Sequence, residues 1–233
     1  MYSTLTTDIQ SSPRVVLICL HADPVTPPGI ADGGGTHSYI REVLSLLLKD
    51  KINHLFLTRW SDPSLPDNQK ISDYGCVKRL NIGSVGPMHK SCLNDYHQTT
   101  VERIKSALKE FDKPALLHSV YWNSGRAAMD ISQELQIPFI HTVISNGWRR
   151  QYEGYLDHTP ERIDVEKEVY NSAAKVLCIC SQEAEDLITS YNVPKKNISI
   201  VGRPVSETFQ VPARDGYGHP RRKKIYQSGN SFL

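Results

Sequence analysis

An α/β fold built on a doubly wound, mostly parallel, Rossmann-like sheet follows from three features of this 233-residue sequence. Short apolar runs alternate with segments of helical periodicity, the order expected when helices cover both faces of a parallel sheet. The first run, RVVLICLH at 14–21, leads into three consecutive glycines, Gly33, Gly34 and Gly35, just before a helical pattern begins near Thr36. Later strand-like runs end on polar and aromatic residues, and in open parallel sheets ligands bind at those carboxyl ends.

Each element has its own signal. Residues 36–50 place Tyr39, Ile40, Val43, Leu44, Leu47 and Leu48 on one helical stripe. Residues 55–58 (LFLT) read as a short buried strand and 75–82 as another. Residues 93–111 carry Val101, Ile104, Leu108 and Phe111 at helical spacing. The strand at 115–118 precedes a helix bearing Ala127, Ala128, Ile131 and Leu135, and 138–143 is the next strand. A helix from 162 to 173 leads to a strand at 176–180. Ser181 reads as the N-cap of a further helix, with Glu183 in its first turn and Ala184, Leu187, Ile188 and Tyr191 facing inward. Residues 198–201 make a last strand.

Composition narrows the function classes. With 39% hydrophobic and 22% charged residues, the sequence reads as that of an ordinary globular protein with ample core. A net charge of +2, with basic residues scattered except for the cluster 221–224 (RRKK), argues against a nucleic-acid partner. No apolar run approaches the roughly 20 residues that span a bilayer, and the polar N-terminus shows no signal-peptide core. The five cysteines are an odd count. Cys19, Cys178 and Cys180 lie in strand-like runs as small hydrophobes, and no further Cys or His falls at ligand spacing, so no metal is expected. A reducing, cytoplasmic setting fits these thiols.

The strand ends bring candidate binding residues together. A side-chain-free turn before a helix lets a ligand approach the backbone N–H groups, which suits anions and polyols; a Gly- and Pro-rich surface loop reads equally well from these residues alone. The spacing is neither G-x-G-x-x-G nor a P-loop. A second strand ends at His118 and continues through Tyr121 and Trp122; a third ends at His141 and Thr142 and continues through Asn146 to Arg149 and Arg150. Aromatic faces beside hydroxyl-binding donors are what a carbohydrate site requires.

The ordered set resembles the N-terminal domain of a family 4, GT-B type glycosyltransferase, in the branch that includes sucrose-phosphate synthases and the inositol-phosphate glycosyltransferases of mycothiol synthesis. The segments that carry the resemblance are 32–42 (DGGGTHSYIRE), 118–125 (HSVYWNSG), 138–142 (PFIHT), the pair Arg162 and Glu166, and 174–187 (AKVLCICSQEAEDL). They cover residues 14–210 in order. The resemblance implies donor-phosphate or acceptor contacts for Gly33, Gly34, Gly35 and Thr36. It also implies acceptor-pocket roles for His118, Tyr121, Trp122, Thr142, Asn146, Arg149 and Arg150, the two arginines meeting an acceptor phosphate. The Arg162/Glu166 spacing equally suits a surface i,i+4 ion pair.

Three positions depart from the family pattern. Val120 stands where the pattern often has a second His, Ile144 where a His approaches the reacting sugar, and 203–206 (RPVS) where it reads Gly-Val-Asp. His141 does not replace the missing group, because strand alternation aims it elsewhere. The expected organisation is an N-terminal acceptor-binding domain at 1–206, an interdomain linker at 207–224 holding Pro212, Gly216, Gly218 and Pro220, and the start of a donor-binding domain at 225–233.

The implied function is transfer of a sugar from a nucleotide-diphosphate sugar to a hydroxyl acceptor, with retention, this chain supplying the acceptor half and having negligible activity alone. No cofactor beyond the nucleotide-sugar donor is implied. The expected partners are a small-molecule or glycan acceptor and a donor domain, on this chain or another, with association at a membrane surface compatible. The alternative is a non-catalytic carbohydrate- or partner-binding module, which the loss of His at 120 and 144 favours. A nucleotide-sugar epimerase is the weaker third reading, since the strand ends offer His and amides rather than acids.

Overall fold

The computed structural model describes residues 13–26, 34–155 and 159–203. The chain divides into a unit ending at Arg203 and a second from Pro204 to Leu233. The anticipated linker, the 225–233 segment, the 221–224 cluster, the last three residues of RPVS and Gly33 lie outside the described residues.

Eight strands form one sheet: β1 (Val15–Ile18), β2 (His54–Arg59), β3 (Asn68–Ser72), β4 (Gly75–Leu80), β5 (Leu116–Val120), β6 (Phe139–Thr142), β7 (Lys175–Cys178) and β8 (Ile198–Ile200). Their order across the sheet is β3-β4-β2-β1-β5-β6-β7-β8, and every pairing is parallel except β3 against β4. The helices are α1 (Gly35–Lys49), α2 (His97–Leu108), α3 (Trp122–Leu135), α4 (Gly147–Tyr152), α5 (Arg162–Ser172) and α6 (Ser181–Thr189).

Alternation along the central strands builds two cores. In β1, Val16 and Ile18 join the larger cluster with Leu55, Leu57, Leu117, Ile131 and Val169. Leu17 faces the other way, with Phe56, Val77 and Val120 and the α1 residues Tyr39, Ile40 and Leu44. The stripe read from 36–50 is therefore the face α1 packs on the sheet.

Four local readings need correction. β3 was not anticipated: its sequence NQKIS has one apolar residue, so an antiparallel edge strand left partly in solvent carries no alternating signal. The single helix expected over 93–111 is a 3-10 segment at Lys90–Tyr96 followed by α2. The residues after Asn146, to which the pattern assigned no element, form the short α4. Ser181 is the first residue of α6 rather than its N-cap; the carboxylate of Glu183 instead accepts from the Ile179 N–H at 2.9 Å.

Gly125 sets how closely α3 approaches β6 and α5. A Cβ there would stand 2.7 Å from Val169 Cγ1 and 2.8 Å from His141 Cε1, both side chains in the packed interior. Gly125→Ala should destabilise the chain by about 1–3 kcal/mol, as overpacking does. Urea denaturation would measure it, and an unchanged midpoint would contradict this packing.

Candidate functional site

The carboxyl ends of β1, β5, β6 and β7 form one rim, and buried polar contacts fix its loops. After β1, the Asp23 carboxylate accepts from Arg79 Nε at 2.6 Å, with both side chains almost fully buried, and also from the Val25 N–H at 2.9 Å. Arg41 of α1 donates to the carbonyls of Pro24 and Thr26.

At the end of β6, Thr142 Oγ1 lies 2.9 Å from the Tyr39 hydroxyl and 2.8 Å from His118 Nε2. This joins α1, β5 and β6. All three side chains are buried, and burial pushes the His118 imidazole down to about 4. His141 points under α3, with Nδ1 2.9 Å from Ser119 Oγ and its ring on Tyr170, as strand alternation requires. Burial, then the nearby His118, lowers it to about 3.

The deepest polar assembly belongs to α5. Glu166 accepts from Arg162 Nε at 2.7 Å, the Gly147 N–H at 2.7 Å and the Tyr191 hydroxyl at 2.5 Å. Arg162 also donates to the Ser145 carbonyl at 2.8 Å and its hydroxyl at 3.1 Å. Their side chains are 3% and 0% exposed, so this is no surface i,i+4 pair. Burial pushes the Glu166 carboxyl up, opposed by Arg162; the Arg162 guanidinium, although buried, is raised by Glu166.

Tyr121 gathers the cations. It leaves β5 with φ 72° and ψ 152°, a region almost reserved for glycine and sustained only where the surroundings enforce it. Its ring lies 4.6 Å from that of His21, 5.2 Å from the Arg162 guanidinium and 5.9 Å from Lys90 Nζ. His21 is kept neutral, lowered to about 3 by burial and then by Lys90 and His37. Exposed Lys90 thus stands over a largely buried cradle made of the Tyr121 ring, 8% exposed, the Ser145 hydroxyl and the Arg162 guanidinium already paired with Glu166.

The residues expected at the site divide. Tyr121 is on the cradle. Trp122 is 3% exposed and belongs to the core, because as the first residue of α3 it turns inward; it presents no sugar-stacking face. Thr142 holds the strands together, and Asn146 caps α4, its Oδ1 accepting from the Arg149 N–H at 2.6 Å. Arg149 does not wait for a phosphate: Asp186 of α6 accepts from its Nε at 2.9 Å and from a second nitrogen. Arg150 stacks on Tyr155, 5.2 Å from the ring. Gly34 and Gly35 are exposed at the start of α1, Thr36 beside them, and a Cβ on Gly35 would stand 2.7 Å from Arg203 Nη1. Arg203 in turn donates to the Ile144 carbonyl at 3.4 Å, and Ile144 packs against both cores. A pocket of about 480 Å³ opens between the β6 and β7 ends, lined by Ser145, Arg149, Arg150, Tyr155, Glu183 and Asp186 among others.

Lys90, Ser145, His21 and Arg203 escaped the sequence reading. Lys90 follows a loop without periodicity, in which Gly83 and Gly86 take positive φ. One signal was present: the loop after any parallel strand emerges on the same rim, and Lys90 follows β4.

This is the edge at which open α/β sheets bind their ligands. Comparison with known proteins narrows the class. Residues 33–209 match the sequence profile of Glycosyltransferase Family 4, and the chain belongs to that family. It is 27% identical over 215 residues to a D-inositol 3-phosphate glycosyltransferase of Pseudarthrobacter chlorophenolicus, covering 88% of this chain and 51% of that protein. A protein of the same name from Thermobifida fusca is 26% identical over 204 residues, covering 85% and 47%. Among solved structures, sucrose-phosphate synthase from Thermosynechococcus elongatus superposes with a TM-score of 0.76 at 24% identity, over 86% of this chain and 50% of that one. That likeness shows the fold. The chain spans about half the length of the curated relatives it matches.

The buried histidines make a pH prediction. His118 and His141 sit below their ordinary value of 6.5 when folded, so the unfolded chain takes up their protons first as pH falls. Stability is full above that value and declines through the window down to about 4 and 3, by up to about 1.4 kcal/mol per pH unit for each histidine. Urea midpoints should fall steadily from about pH 7 to about pH 5; a flat profile would contradict the assignment.

Proposed function

We propose that this chain provides the acceptor-binding half of a glycosyltransferase that moves a sugar from a nucleotide-diphosphate sugar to a hydroxyl of a phosphorylated polyol or sugar. The observation that carries the proposal is the cradle around Tyr121. It sets the exposed Lys90 over the Tyr121 ring at the carboxyl end of the sheet, and the Ser145 hydroxyl is held on the other cation at that ring, Arg162. A free ammonium and a positioned hydroxyl suit a phosphate, with Arg162 fixing the hydroxyl rather than meeting the ligand. Family membership, and the inositol phosphate in the relatives' names, support the same substrate class.

In such a transfer the acceptor oxygen forms a bond to the anomeric carbon while the bond to the diphosphate oxygen breaks. The hydroxyl proton leaves the acceptor, and negative charge grows on the leaving group. This chain holds the acceptor by its phosphate and turns one hydroxyl toward the cleft. The exposed start of α1 at Gly34 and Gly35, beside the Arg203 guanidinium, offers N–H groups and positive charge to the developing diphosphate. The donor's nucleotide is bound outside the described lobe, the reaction takes place in the cytoplasm, and no metal or further cofactor takes part.

One observation favours a second reading, a binding module without chemistry. Ile144 packs on both cores and brings no polar atom to the rim where proton transfer would help.

Calorimetry with D-myo-inositol 3-phosphate and myo-inositol tests the proposal. The phosphate ester should bind at least about tenfold more tightly, the worth of one charge-assisted hydrogen bond. Lys90→Ala, at an exposed position, should remove most of that difference without changing the melting temperature. Equal affinity for the two polyols, or an unaffected Lys90→Ala variant, would overturn the cradle.

A further inference from the structure

α4 carries a feature the cradle does not use. Trp148 and Tyr152 stack with ring centroids 5.3 Å apart and planes 13° from parallel. Arg149 lies over both rings, at 5.2 and 5.4 Å, and is itself fixed by Asp186 of α6. The Trp148 N–H donates to the Tyr191 hydroxyl at 2.9 Å, so the base of the stack is tied to the buried Glu166 assembly. One turn further on, Tyr155 is held over Arg150. Yet Tyr152 is 71% and Tyr155 57% exposed. Exposed tyrosines offer large amphipathic contact area at low entropic cost, which is why binding surfaces use them.

The platform is continuous with the pocket, since Arg149, Arg150 and Tyr155 line it. Its chemistry selects the occupant. Helix α4 (GWRRQY) and the following Glu153 contain no aliphatic side chain, whereas a membrane-inserting helix needs one apolar face. The charge of Arg149 is answered by Asp186, and Glu153 adds a further negative group nearby, so the surface lacks the excess positive charge that anionic lipid demands. Flat tyrosine faces flanked by fixed guanidinium and carboxylate groups match a neutral chain of hydroxyl-bearing rings.

Resting on the acceptor reading above, we infer that Tyr152 and Tyr155 form an outer carbohydrate subsite, so that the phosphorylated acceptor carries further, neutral sugars that lie along α4.

Affinity electrophoresis or calorimetry with neutral gluco-, galacto-, manno- and N-acetylglucosamine oligosaccharides, from the monosaccharide to the hexasaccharide, tests this. Wild-type affinity for one series should rise from the disaccharide upward. Tyr152→Ala and Tyr155→Ala should each cost about fivefold on the longer members, roughly one aromatic contact each, while Tyr152→Phe keeps the wild-type value. Both sites are exposed, and unchanged far-UV spectra and melting would exclude a folding defect. Binding of D-myo-inositol 3-phosphate should be the same in all variants; its absence, with oligosaccharide binding intact, would count against the cradle alone. No oligosaccharide binding, or binding indifferent to both tyrosines, overturns the subsite. So does sedimentation with phosphatidylglycerol–phosphatidylethanolamine vesicles that is lost in the double variant while no glycan binds.

Discussion

The rim depends on one carboxylate. Glu166, with no exposed surface, receives hydrogen bonds from the guanidinium of its own helix, from the backbone where α4 begins and from Tyr191 just beyond α6. A buried carboxylate is tolerated only when charge and hydrogen bonds replace the lost water, and here three donors from three segments do so. Loss of either partner of such a pair typically costs about 3–5 kcal/mol, because the other charge stays behind unpaired. Arg162 therefore serves two ends. Its Nε secures Glu166, while the plane of the same guanidinium stands over Tyr121 and reaches Ser145. A buried structural ion pair is thus also the floor support of the candidate site.

The same device recurs around the rim. Arg79 with Asp23, Arg41 with the carbonyls of Pro24 and Thr26, and Arg59 with the carbonyls of Ile82 and Ser84 each hold a loop that leaves a strand end. Planar guanidinium groups suit this work, because several fixed donors satisfy carbonyls that no regular structure reaches. Loops held in this way present a preformed surface, and preorganisation is what lets a few polar contacts yield affinity.

Much of the fold was legible in the sequence, because alternating apolar runs and helical stripes report burial directly. The stripe from Tyr39 to Leu48 and the strand at 55–58 are where the pattern puts them. β3 and α4 were not, since one is a polar edge and the other is six residues long, too short for a period to show. The site was legible as a place rather than as a set of residues. Gly34, Gly35, Tyr121 and the ends of β5 and β6 do share one rim. But whether Trp122 turns inward, or Arg149 is taken by Asp186, depends on contacts between residues far apart in the chain, which no local pattern encodes. Arg162 and Glu166 show the converse: a spacing typical of a solvated helix face is here a buried pair, because α5 packs against α3 and α4.

Together these features describe a family 4 lobe in which a structural charge, Arg162, also stands at the candidate site. The most direct test is amide shift mapping of the chain titrated with D-myo-inositol 3-phosphate. On this account the largest changes fall on Lys90, Tyr121, Ser145 and Gly147, the residues around the Arg162 guanidinium. Saturable changes confined to β3, to the far end of α1, or to no part of this rim would contradict it.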